Sequence, residues 1–190
     1  MNKTAIKNFA IWARVQLIEA AKQRAYEYEI TENGENKPTA DTIGGRLLSK
    51  NEKEQRRQLI EQISQKGYSQ VMEEAAYTWF NRFIALRFME VNDYLPSHVR
   101  VFSDDAGAFK PQIMADAINL QMDGLDMQKV YAFKENDQDG ELFKYLVITQ
   151  CNALNKLLPG MFQRIADYTE LLFPDYLLES NSAVGRLVND

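Results

Sequence analysis

The sequence predicts an all-α fold: a single compact multi-helix domain, residues 1–190, built around a buried central helix at about residues 69–91. Three observations carry that expectation. Apolar residues recur at helical spacing in each long segment. The segment 69–91 is apolar around nearly its whole circumference, as a helix covered by its neighbours would be. The stretch "HVRVF" at 98–102 alternates enough to permit a short strand but has no clear pairing partner and reads as loop.

The elements follow in chain order. In residues 4–29, Ile6, Phe9, Ala13, Leu17 and Ala20 share one arc at 3.6 residues per turn, with Thr4 placed to act as N-cap. "ITENGENKP" is a polar loop carrying Gly34 and Pro38. "TADTIGGRLLSKNEKEQ" is a connector broken at Gly44 and Gly45. Asn51 is expected to cap a second helix that runs to Lys66 and stops at Gly67. A third helix starts at Ser69 and ends near Val91. Pro111 suits the first turn of a helix to about Gln121. Shorter helices are expected at 126–136 and 161–173, with a long one at 140–158. "AVGRLVND" begins another apolar-periodic stretch just where the chain stops, as at a fraying natural terminus or at a boundary inside a longer polypeptide.

Composition narrows the chemistry. The chain has 190 residues, 45% of them hydrophobic, enough for a core without a disulfide or metal staple. Cys151 is the only cysteine, so no internal disulfide forms, and a buried cytosolic thiol is expected. His98 is the only histidine, which removes multi-histidine metal sites and leaves Ser-His or Cys-His catalysis without support. No phosphate-binding glycine loop and no CxxC pair is present. No apolar run of membrane-spanning length occurs, and the expected location is the cytoplasm. On these residues the chain has no catalytic, cofactor-binding or metal site of its own.

Charge is uneven. Residues 1–100 hold 15 Lys/Arg against 13 Asp/Glu, a balance of +2; residues 101–190 hold 7 against 14, a balance of −7. Duplex DNA would therefore meet the first part more readily than the second. The DNA-binding candidates are Lys3, Lys7 and Arg14, which share one side of the first helix, and Arg56 and Arg57 on the second. The alternative is that these cations lie beside apolar stripes with their heads in water.

The stretch "AYTWFNRFIALRFMEVNDYLP" at 76–96 sets Asn81, Arg82 and Arg87 among large rings. A buried guanidinium needs a partner. Glu90 stands three residues after Arg87, and Glu73 and Glu74 stand about two turns before Arg82. These acids, or groups on another helix, could serve, or the arginines could face nucleic acid or a neighbouring domain. Asn152 and Asn155 are expected to bond between helices or to cap the long helix. Asp104 and Asp105 beside Gly107 read as a solvated turn, with cation binding as the alternative.

The string from Tyr77 to Arg82 with Arg87 and Glu90 carries a resemblance. So do "MNKTAIKNFAIWAR", "ITQCNALNKLLPGMF" and "DYLLESNSAVGRLV". The chain resembles the N-terminal region of the PglX family, the adenine-specific DNA methyltransferases of bacteriophage-exclusion (BREX) defence systems. The resemblance implies a longer protein. Such a protein continues into a Rossmann-like domain with a glycine-containing loop for S-adenosylmethionine and an Asn-Pro-Pro-Tyr motif that holds a flipped adenine. Neither motif occurs here; the five prolines at 38, 96, 111, 159 and 174 include no pair. The implied role is a non-catalytic helical domain that supports DNA grip or packs on its own catalytic domain. The alternative is a scaffold module contacting other BREX subunits.

Overall fold

A computed structural model describes residues 3–34, 36–37, 39–163, 165 and 167–189. Pro38, read above as a loop residue, lies outside them. The fold is essentially all-α. Seven helices and one two-stranded hairpin are found among the described residues: α1 (Lys3–Glu27), β1 (Thr42–Ile43), β2 (Arg46–Leu47), α2 (Lys50–Lys66), α3 (Tyr68–Val91), α4 (Gln112–Ala115), α5 (Met127–Glu135), α6 (Asp139–Leu154) and α7 (Ala183–Asn189). The chain forms two compact units, Met1–Phe80 with Ala166–Asp175 and Asn81–Ile165 with Tyr176–Asp190.

In the first unit, α1 buries Ala13, Leu17, Ala21 and Ala25, a stripe stepping by four with three small side chains. Ile6, expected on this stripe, is exposed instead. The helix already includes Lys3, so Thr4 lies in its first turn and is not the cap. Ala21 and Ala25 join Ile30, Leu59, Val71, Met72, Leu171 and Leu172 in one apolar cluster. Trp79 is fully buried; its indole donates to the Thr169 carbonyl at 3.1 Å and its ring meets Phe173 edge-on at 4.7 Å.

The connector at 42–47 is a minimal hairpin. Gly44 and Gly45 both take positive φ, 54° and 79°, as a two-residue primed turn requires. The cap of α2 is Ser49 rather than Asn51: its hydroxyl accepts from the Glu52 amide while Glu52 reaches back to the Ser49 amide. That reciprocal pair satisfies two free amides, which Asn51 two residues later could not do. Gly67 ends α2 with φ 92°, as expected.

In the second unit, α6 buries nine residues from Leu142 to Leu154. Phe102 links Phe83 to Phe143, at centroid distances of 6.0 and 6.4 Å. α5 lies on α6 through Phe133 and Tyr145, and the Tyr145 hydroxyl accepts from the Asp126 amide. α4 is one turn, much shorter than the helix expected to Gln121, and α6 ends at Leu154 rather than Leu158.

The helix expected at 161–173 does not form among the described residues. Its buried residues include Leu171, Leu172 and Phe173 in succession, which no single helix face can cover. Side chains take over the backbone there. Asp167 accepts from both the amide and the hydroxyl of Thr169, and Asn152 pairs with both backbone groups of Ile165.

α3 supplies much of the core, with Val71, Met72, Ala75, Ala76, Trp79, Phe83 and Leu86 buried. It is not covered all round: Tyr77, Ile84, Phe88 and Val91 stay 37–68% exposed.

Candidate nucleic-acid interface

The five basic candidates fall in the first unit, and they do not share one fate. Lys3, Lys7 and Arg14 are exposed on α1. At 3.6 residues per turn they lie within roughly 40° of one another. Arg14 also holds Glu73 at 2.8 Å, an open ion pair worth roughly 0.2–1 kcal/mol and weakened by salt. Arg57 is exposed on α2 beside Glu54 and Glu61, at 2.7 and 3.5 Å. The hydrogen bond and charge of Glu54 raise its pKa.

Arg56, expected to be exposed, is buried at 1%. Its Nε donates to the Tyr28 carbonyl at 2.9 Å, and Nη1 donates to the Lys37 carbonyl. Burial lowers its pKa and the Glu29 charge partly offsets this. The adjacent Arg56 and Arg57 look alike in sequence but sit about 100° apart on the helix, one turned inward and one outward.

The arginines of α3 are also structural. Arg87 donates to Glu90 at 2.7 Å and to the Ser103 hydroxyl at 3.1 Å. Arg82, 6% exposed, donates to the Gln163 carbonyl. Glu73 and Glu74, weighed as its partners, pair with Arg14 and Lys66. Glu90 does more than its spacing from Arg87 suggests. Its carboxylate, with no exposed surface, also accepts from the amides of Val101 and Phe102 at 2.7 and 2.8 Å and from the Ser103 hydroxyl. It supplies the hydrogen bonds that "HVRVF" would have found in a sheet.

The remaining candidates bond within the fold. Asp104 closes a turn by accepting from the Ala108 amide. Asn152 and Asn155 hold the backbone at Ile165 and Phe162. The Cys151 thiol is pushed up to about 12 by burial, against the Arg82 charge, and is no nucleophile at neutral pH. No group of three or more His, Cys, Asp or Glu among the described residues is placed to hold a metal.

One cavity among the described residues offers too little room for S-adenosylmethionine. At about 140 Å³, and lined by Glu90, Asp93, His98, Arg100 and Asp105, it is below the roughly 300–1,000 Å³ of small-molecule pockets. The glycine turn after β1, Gly44–Gly45, leads back into β2 and not into a helix whose N-terminus could cradle a nucleotide.

These features define a class: a helical module with exposed cations along one side of its first helix. Comparison with known proteins says where the module recurs. No protein-family model matches the chain. Over its full length it is 34% identical to an adenine-specific methyltransferase PglX from Lacticaseibacillus casei (strain Zhang), of which the match covers 18%. Over 71% of its length it is 30% identical to an adenine-specific methyltransferase BrxX from Escherichia coli O9:H4 (strain HS), of which the match covers 12%. The chain thus corresponds to a part of the adenine-specific methyltransferases of the PglX and BrxX kind, and spans less than a fifth of either relative. No described helix is long and apolar enough to cross a membrane.

Proposed function

We propose that this chain is the N-terminal helical part of a longer BREX-type adenine-specific DNA methyltransferase, and that it supports the enzyme without carrying its chemistry. The observation behind this reading is the end-to-end match to 18% of a PglX methyltransferase. The whole protein would take its methyl group from S-adenosylmethionine and act on host DNA in the cytoplasm. Its reaction centre would lie in the polypeptide beyond these residues. The helical part packs on that catalytic portion and presents Lys3, Lys7, Arg14 and Arg57 to the phosphate backbone of duplex DNA. Arg56 leaves the set, because its guanidinium is committed to carbonyls.

Two experiments test this. Reading the gene past Asp190 is expected to reveal a methyltransferase domain; a stop codon there overturns the reading. Titrating the chain with duplex DNA is expected to give weak binding that falls steeply with salt. Four charge reversals (Lys3→Glu, Lys7→Glu, Arg14→Glu, Arg57→Glu) should abolish it. No binding at low salt removes the DNA role and leaves the packing role standing.

A second reading draws on the −7 balance of residues 101–190. It is a scaffold surface for basic partners among the other defence-system subunits. A pull-down with and without charge-neutralising changes in that region tests it, and recovery of no subunit counts against it.

A further inference from the structure

Part of α3 presents an apolar row to solvent. Asn81, Ile84, Phe88 and Val91 follow at steps of three, four and three residues. On ideal geometry they lie within an arc of roughly 80° that holds no charged residue between Asn81 and Val91. Ile84, Phe88 and Val91 are 37%, 59% and 54% exposed. The helix ends with Asp93 in the left-handed region, the Tyr94 amide bonded to the Met89 carbonyl and the Asp93 amide to that of Glu90. This ending sets the Tyr94 ring on Phe88 at 5.9 Å. The cap accounts for that contact but not for the exposure: Tyr94 remains 60% exposed.

The three-four-three step is the spacing of a heptad seam, and a polar Asn at one seam position is a register device. Extending the packing role proposed above, and resting on it, we infer that this row receives one apolar-faced helix from the remainder of the longer polypeptide. Size selects that occupant. The row is about 15 Å long and offers on the order of 300 Å² of exposed surface on Ile84, Phe88 and Val91. Two separate copies of the chain would need roughly 800 Å² each to hold together. A tethered helix needs less, because the linker keeps it at millimolar effective concentration. More than four-fifths of each relative lies outside the matched part, which leaves ample chain to supply it. The uncharged arc argues against phosphate as the partner.

Single cysteines read the seam directly. The native Cys151 is buried with a raised pKa and stays silent toward thiol reagents. Ile84→Cys and Val91→Cys are labelled in the 190-residue chain and in the same chain extended by the rest of its reading frame. Tyr131→Cys and Leu157→Cys, at positions 50% and 62% exposed, serve as references. The expected result is labelling at 84 and 91 slowed at least tenfold by the extension. Amide hydrogen exchange over 84–94 in the unaltered protein should slow in parallel and needs no substitution. Unchanged rates at 84 and 91 with slowed rates at a reference position overturn the seam and leave the packing role intact. Unchanged rates everywhere overturn both. Protection that appears in the 190-residue chain alone and grows with its concentration identifies a second copy as the occupant and overturns the inference.

Discussion

In each unit of this protein a buried charged side chain sits at the centre of a knot of hydrogen bonds, Arg56 in the first and Glu90 in the second, and the two knots are built oppositely. In the first, the Arg56 cation is held by the neutral carbonyls of Tyr28 and Lys37. In the second, the Glu90 anion is held by the Arg87 cation, two amides and a hydroxyl. Both knots fasten irregular chain to a helix. Arg56 on α2 gathers the segment after α1, and Glu90 on α3 gathers residues 101–103. The difference lies in what is left when the central group is removed. Without Arg56, two carbonyls remain, and carbonyls near a surface can turn to water. Without Glu90, a partly buried cation and two inward-facing amides are stranded together.

The comparison ranks the expected effects. Glu90→Ala should be the most damaging, at about 3–5 kcal/mol, the range for breaking a buried charged pair. Denaturant unfolding would measure it; a loss below about 1 kcal/mol would mean that water readily replaces the carboxylate. Arg56→Ala should cost about 2–4 kcal/mol from lost hydrogen bonds and packing. If Arg56→Ala proved the costlier, the proposed contrast between stranded amides and released carbonyls would fall.

Acid provides the gentlest probe. Burial raises the Glu52 pKa, but hydrogen bonds from Arg46, Ser49 and Tyr28 outweigh it and hold the carboxyl at about 2, below the ordinary 4.5. A depressed carboxyl stabilises the fold above its unfolded pKa and loses that contribution as protons bind. Stability should therefore decline as pH falls from about 4.5 through about 2, by roughly 1–2 kcal/mol once solvent screening is allowed for. Glu52→Gln should flatten that part of the pH profile. A profile identical to that of the unaltered protein would mean that the carboxyl titrates normally.

Much of the architecture was legible because it depends on neighbours in the chain. α1, α3 and α5 fall within two residues of their expected bounds, and Gly67 ends α2 as local pattern says. The errors share a cause. The 161–173 segment has helical composition, yet Asn152 and Asn155 hold its backbone from another part of the sequence. The candidate site was legible only as a list of cations. Arg56 and Arg57 are adjacent and identical in kind, and the inward turn of one depends on where the Tyr28 and Lys37 carbonyls arrive.

By itself the sequence determined the helical class, the punctuation by glycine and the kinship with PglX-type methyltransferases, because periodicity, turn chemistry and residue identity are local or countable. Only the tertiary structure decided which charges are buried and which edge of α3 is left bare. Burial is a property of what comes to lie alongside a side chain, and distant segments such as the one contributing Val101 and Phe102 decide that when they fold against the helix.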